Sequence, residues 1–566
     1  MTKQASAAEI FLRALGRSGV RYLFGNTGTD AAPIVEAYAK CSIENVEQIP
    51  APLLAAHETT AVSMAHGYAM VSRQLPAVFV HVSVGTANAV CSIMNAAREN
   101  VPILLTAGRS PLYEDSRIGS RDAYIHWGQE MFDQASMLRE LVKWDYELRG
   151  AAQTELVVQR AVSIAMSEPR GPVYLSLPRE ALADQISDIR DHEGVTTLAA
   201  ALPPEANSQG IAIAAELLAH AEKPVILVAN AGRNPDTVAQ IATFAERFQV
   251  PVVAHCPRYM SFPSTHPLHL GFDPGDVIPE ADVILVLECD VPWIAKLVRL
   301  RADCKVIHAG YDPQFENIPI RGFQSDLVLP GDVGALLERL TPVLEQQQKA
   351  DLSKRQEWAE EKRARKAEVR ARQLNAASAA NPIHPAWVSH CIEQVKGDGI
   401  VVNEYPLLLD HCRFSDPGTY FGSSSAAGLG WGMGAALGAK LAEPEKLVIA
   451  TLGDGSYIFA NPVAAHYAAH QHQLPVLFVV FNNSMWGAVR RATMKVYPDG
   501  AASAANKNVL MDLDGLPAFE QICIAAGGYG ERVELASELP AALKRALKVV
   551  REEKRQALLN VICKSI

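Results

Sequence analysis

No run of apolar residues in this chain approaches the roughly 18–20 needed to cross a bilayer. The most apolar stretches, such as Val476 to Phe481, are the length of a strand. The opening residues Met-Thr-Lys-Gln-Ala-Ser carry no hydrophobic segment of the signal-peptide kind. The nine cysteines are scattered and include no CxxC pair. That argues against a disulfide framework or a zinc site and makes a reducing cytoplasm the expected compartment. Each cysteine reads as a small buried apolar side chain. Basic residues do not dominate either: 52 Lys and Arg against 62 Asp and Glu leave a net charge of −10, with no Lys/Arg-rich arm. Neither nucleic acid nor a membrane is an expected partner. The chain also lacks a GxxxxGK[ST] loop, a GxGxxG set between strand and helix, an adjacent pair of histidines and any short internal repeat.

What is present is a globular composition, 49% hydrophobic and 20% charged over 566 residues, enough for about three domains of ordinary size. Ala8, Phe11, Leu12 and Leu15 recur at i, i+3, i+4, i+7 and predict an opening helix. Strands are predicted at Val20 to Phe24, Ala77 to Val82 and Ile103 to Ala107, then at Pro224 to Ala229, Val283 to Leu287 and Lys305 to Ile307. A last group falls at Leu447 to Leu452, Pro475 to Phe481 and Ala557 to Ile562. Strands alternating with helical stretches indicate parallel sheets covered on both faces. The predicted class is α/β, three doubly wound domains in tandem: 1–185, 205–345 and 382–566. Residues 186–204 read as a linker and the Lys/Arg/Glu-dense run 346–373 as a solvated helix.

The sharpest motif is in the third segment. Strand 447–452 runs into Gly453-Asp454-Gly455-Ser456, and strand 475–481 runs into Asn482-Asn483. One crossover helix in a parallel sheet brings two such strand ends to the same edge, where ligands bind. Asp454 and Asn483 can therefore converge. A carboxylate plus an amide oxygen is a hard-oxygen set that suits Mg²⁺ or Ca²⁺, and Met485 can add a backbone carbonyl. The glycines admit a diphosphate close to the backbone, and a helix start offers free N–H groups to it. GDG alone would be an ordinary strand-to-helix turn; the pairing with NN in strand context is what gives it meaning.

GDG, this spacing and NN resemble the thiamine diphosphate superfamily, over nearly the whole chain. Within it the pattern is most like the 2-oxo acid decarboxylase and acetolactate synthase branch, benzoylformate decarboxylase in particular. The resemblance implies pyrimidine-binding, central and diphosphate-binding domains in that order. It also implies thiamine diphosphate with Mg²⁺, and a homodimer or homotetramer whose active sites are shared between subunits. In His57-Glu58-Thr59-Thr60, with Gly67-Tyr68-Ala69 downstream, Glu58 matches the carboxylate that holds the aminopyrimidine proton. His81, in the stretch Val80 to Ala89, matches a histidine near the substrate, where acetolactate synthases carry a Ser-Gly-Pro-Gly-type turn. Thr29 takes the place of an active-site serine able to bind a substrate carboxylate. Gln129, in His126-Trp127-Gly128-Gln129-Glu130, resembles instead the glutamine of acetolactate synthases and benzaldehyde lyase. Leu429 matches the wedge that bends the cofactor, and the Ala427 carbonyl accepts from the pyrimidine amine. Trp486, Ala488 and Ala492 follow NN and are expected near the substrate, the two alanines leaving room for a large acyl group.

Some positions depart from the pattern. Ala295 stands where benzoylformate decarboxylase has a second histidine, with His255 as a possible substitute. Asp290-Val291-Pro292-Trp293 replaces the Arg-rich flavin stretch of acetolactate synthases, which argues against FAD; Trp293 is a candidate wall of the substrate pocket. The expected reaction is non-oxidative cleavage or formation of a C–C bond next to a carbonyl, as a 2-oxo acid decarboxylase. The alternatives are a carboligase or lyase, and an inactive cofactor-binding partner subunit.

Overall fold

The computed structural model describes residues 4–186, 197–505 and 509–565. Three parallel sheets, each flanked by helices, follow one another along the chain. In the first domain β1 (Tyr22–Asn26), β2 (Ala51–Leu54), β3 (Ala77–Val80), β4 (Leu104–Arg109), β5 (Asp145–Glu147) and β6 (Val173–Pro178) lie in the order β2-β1-β3-β4-β6-β5. The central sheet takes β7 (Pro224–Val228), β8 (Val252–Ala254), β9 (Val283–Leu287), β10 (Lys305–Gly310) and β11 (Leu327–Pro330) in the order β8-β7-β9-β10-β11. The third has β12 (Ile400–Glu404), β13 (Tyr420–Gly422), β14 (Val448–Gly453), β15 (Leu477–Asn482), β16 (Tyr529–Val533) and β17 (Ala557–Ile562), ordered β13-β12-β14-β15-β17-β16. The first and third sheets thus share one topology. In both, the strand order reverses between the first and third strands, the place where open α/β sheets bind ligands.

Helix α1 (Ala7–Arg17) starts at a capping box in which the Ser6 hydroxyl accepts from the Glu9 N–H and Glu9 accepts from the Ser6 N–H. Helix α2 (Glu58–Ser72) follows β2, and α3 (Val82–Arg98) leaves β3. The charged run forms α4 (Leu352–Ala377), and one face of it is not solvated. Arg355 is fully buried and donates to the carbonyls of Leu218, Ala221 and Phe248, and Trp358 is buried beside it. Its charge pattern hid that face because the buried charged group is satisfied by peptide oxygens alone. Helix α5 (Trp431–Ala442) packs along α2, so one core joins the first and third domains through Met64, Ala65 and Tyr68 against Met433, Ala436 and Leu437. The approach needs glycine: a β-carbon on Gly67 would run into the Ala435 carbonyl. Short helix α6 (Asp454–Phe459) leaves β14, and α7 (Gly487–Val496) follows β15.

The linker reading of 186–204 falls, for 187–196, outside the described residues. Seven cysteines are buried as read, but Cys91 and Cys256 are exposed. Among the described residues no helix is long and apolar enough to cross a membrane.

Candidate active site

The turns leaving β1 and β3 meet because those strands are neighbours. After β1 a single helical turn begins at Thr29 and buries Asp30. After β3 comes His81, whose Nδ1 lies 2.5 Å from Asp30 Oδ1. On the ring's other side Nε2 lies 3.1 Å from the Gln129 amide nitrogen. Neutral His81 thus donates from Nδ1 and accepts at Nε2. The bond to Asp30 raises the His81 pKa above its ordinary 6.5, against burial and with help from the Asp30 and Glu58 charges. When Nε2 gains a proton it needs an acceptor, and Gln129 Oε1, buried with no partner, becomes one if the amide turns over. Gln129 sits on a loop fixed by Glu130, which accepts from Arg109 at 2.8 Å and Arg121 at 2.7 Å.

Glu58 opens α2 and is buried. Asn88 Nδ2 donates to its Oε2 at 3.1 Å, and a β-carbon at Gly85 would stand 3.1 Å from Oε1. Val82, between His81 and Ser83, has φ +28°, a conformation a β-branched residue holds only under constraint. Backbone strain of this kind gathers at functional sites. Tyr405, Ala427 and Ser484 also have positive φ, and all three adjoin the third-domain group.

That group repeats the arrangement two domains later. Asp454 Oδ1 accepts from the Gly455 N–H at 2.8 Å and Oδ2 from the Asn483 N–H at 3.1 Å, so the two residues singled out by spacing do meet. Asn483 Oδ1 accepts from the Met485 N–H at 3.0 Å. Burial pushes the Asp454 pKa up, against the pull of the surrounding peptide N–H groups. A carboxylate buried at that cost suits a cation. Among the described residues no three or more His, Cys, Asp or Glu side chains gather as metal ligands. One carboxylate, one amide oxygen and the Met485 carbonyl are too few to enclose Mg²⁺, and fit an ion that arrives with phosphate oxygens. In front of them lies a cavity of about 500 Å³, walled by Leu429, Phe481, Trp486, Ala488 and Val489. Gly453, Gly455 and Ser456 also line it. Trp486 covers Gly455, where any β-carbon would run into the indole.

Glu404, at the end of β12, reaches the same cavity. It accepts from the Gly430 N–H at 2.7 Å and the Gly432 N–H at 2.6 Å. Burial raises its pKa to about 7 despite those donors. Leu429 stands between these bonds and Ala427.

None of Glu58, His81, Gln129 or Thr29 lines the cavity at Asp454. One chain gathers each set but does not join the two. Two of the expected residues, Trp293 and Ala492, do not line that cavity. Trp293 is buried in the central-domain core with its ring 5.3 Å from Phe323. Ala492 is exposed on α7 and does not line the cavity; it shares a helix face with Ala488 but sits one turn further along. Thr29 is exposed at the start of the turn that buries Asp30 beside His81. His255 bonds the Phe272 carbonyl in the central domain. Sequence reasoning missed Asp30 and Glu404. The available signal was the same in both: an acid closing an apolar strand or its turn, where a solvated loop would leave it without need of partners.

The comparisons with known proteins agree with this layout. Residues 5–137 match the thiamine pyrophosphate enzyme N-terminal TPP binding domain, 211–340 the central domain and 405–561 the C-terminal TPP binding domain. The chain is 28% identical to benzoylformate decarboxylase of Pseudomonas aeruginosa, over 94% of this chain and 95% of that protein. It is 26% identical to the acetolactate synthase large subunit of Haemophilus influenzae, over 97% and 93%. In fold it is similar to benzoylformate decarboxylase from Polynucleobacter necessarius, with TM-score 0.78 and 22% identity over 99% of each chain.

Proposed function

The chain belongs to the thiamine pyrophosphate enzymes, and we propose that within them it decarboxylates a 2-oxo acid without oxidation. Thiamine diphosphate, when bound, supplies a carbanion that attacks a carbonyl and takes up the electrons of the broken C–C bond. The chain's own residues do the rest. Asp454, Asn483 and the Met485 carbonyl would hold Mg²⁺, and Gly453, Gly455 and Ser456 would leave room for the diphosphate beside it. The Ala427 carbonyl would accept from the aminopyrimidine, Leu429 would support the cofactor, and the Glu58 carboxylate would hold the proton that the ring requires. His81 Nε2 would give a proton to the carbon that CO₂ leaves, held in orientation by Asp30 and Gln129. Trp486 and Ala488 wall a space for a bulky acyl group.

The observation that carries decarboxylation is His81, bound on both ring nitrogens within range of the Glu58 charge. Loss of CO₂ leaves a carbon that must be protonated, and this imidazole is built to hold a proton. Transfer of the acyl group to an acceptor aldehyde is the second reading. It is favoured by Gln129 at the same nitrogen, since that glutamine resembles the one in acetolactate synthases and benzaldehyde lyase. The presence of Glu58, Asp454 and Asn483 speaks against an inactive partner subunit.

The test is CO₂ release with thiamine diphosphate and Mg²⁺ from pyruvate, branched-chain 2-oxo acids and benzoylformate, each with and without an acceptor aldehyde. Release without acceptor is expected. Release only with acceptor would make the protein a carboligase, and none on any substrate would remove the decarboxylase reading.

A further inference from the structure

Helix α3 touches both candidate half-sites of its own chain. Its first turns carry Asn88, which bonds Glu58. Two turns later Asn95 is buried, and both halves of its amide are committed to one residue 333 positions away. Asn95 Nδ2 donates to the Gly428 carbonyl at 2.8 Å, and Oδ1 accepts from the Gly428 N–H at 3.0 Å. The Asn95 carbonyl also accepts from the Ser424 hydroxyl at 3.1 Å. The segment 424–428 therefore lies directly on the helix. A β-carbon on Gly428 would stand 2.8 Å from Cys91 Sγ and 2.9 Å from the Asn95 amide, closer than such contacts allow. Just past the helix, Glu99 faces Arg258 of the central domain at 3.3 Å, so the far end is held too.

The gripped glycine sits between the two residues that would touch the cofactor. Ala427 precedes it, with φ +56°, and Leu429 follows. On the far side of Leu429, Glu404 holds the Gly430 and Gly432 N–H groups. Packing alone would be served by an apolar side chain. Two bonds to the N–H and C=O of a single residue fix the rotation of both its peptide planes, including the one that carries the Ala427 carbonyl.

We propose that Asn95 is a positioning residue for the cofactor: by clamping Gly428 it sets the direction of the Ala427 carbonyl and the seat of Leu429. It thereby ties the first-domain half-site of a chain to the third-domain half-site of the same chain. The proposal rests on the cofactor reading above.

Equilibrium titration with thiamine diphosphate and Mg²⁺, read by calorimetry without substrate, tests it. Asn95→Ala leaves the Gly428 peptide groups unpaired, and Gly428→Ala forces the segment off the helix from the other side. Both are expected to weaken cofactor binding about tenfold or more, the effect of one to two lost bonds. The KM for cofactor should rise more than kcat falls at saturation. A merely structural asparagine would lower the unfolding temperature of the cofactor-free protein and leave the dissociation constant alone. Binding within twofold of wild type by either folded variant overturns the proposal. A wild type that binds no thiamine diphosphate overturns the functional reading, and this proposal with it.

Discussion

At the scale of single residues the geometry assigns His81 a partner that the pattern of the sequence did not single out. Asp30 is buried, and its carboxylate raises the imidazole pKa above 6.5. Asparagine in its place still accepts from Nδ1–H but carries no charge. Asp30→Asn should therefore move the His81-dependent limb of the kcat/KM profile to lower pH by about one pH unit, the usual effect of one adjacent charge. The profile between pH 5 and 9 measures this directly, and an unmoved limb would take His81 out of the proton-handling role. Asp30 was hard to read because its side chain is recognisable only once the sheet order sets β1 beside β3. Thr29, next to it, drew attention through resemblance alone, and it is exposed at the start of the same turn.

At the scale of elements the same limit applies to Glu404. It meets the start of α5 26 residues later in the chain, a contact made by the neighbouring of β12 and β14. Burial raises its pKa from 4.5 to about 7. The folded chain thus keeps a proton that the unfolded chain has released. Stability is fully present below the ordinary carboxylate range and declines as pH rises from about 4.5 toward 7. Glu99, raised by burial to about 8, adds to the decline in the same direction. The unfolding temperature of the cofactor-free protein should fall between pH 5 and 8, and Glu404→Gln should start lower but fall less. Parallel slopes would show that Glu404 does not titrate there. Long apolar strands such as Val283–Leu287 and Ala557–Ile562 were legible in the sequence to the residue, since both faces of a covered parallel sheet are apolar. Val252–Ala254 and Tyr420–Gly422 were not, because three residues carry no period. Asp454 and Asn483 were legible because one crossover joins them; Asn95 and Gly428 were not, because two domains do.

At the scale of the whole molecule the question is what brings Glu58 to the cavity at Asp454, since it does not line that cavity in its own chain. Helices α2 and α5 lock the two domains of one chain together through a shared core, which prevents a simple closing of one half-site on the other. A second copy related by a two-fold axis would solve this twice at once, each chain lending its first-domain set to the other's cavity. Exposed Trp127 and Phe132 near Gln129, exposed Phe459 at the end of α6 and exposed Val463 just beyond it are apolar surface for such a contact. The arrangement makes a prediction that an intrachain site cannot imitate. Glu58→Gln and Asp454→Ala should each be inactive alone, the first through loss of the proton-holding carboxylate and the second through loss of the metal. When the two variants are dissociated, mixed in equal amounts and reassociated, half of the dimers are mixed. Each mixed dimer holds one site with both lesions and one with neither. CO₂ release should therefore recover to about one quarter of the wild-type value if the pairing is two-fold and random. If each chain built its own site, every site in the mixture would carry one lesion, and the activity would stay at zero.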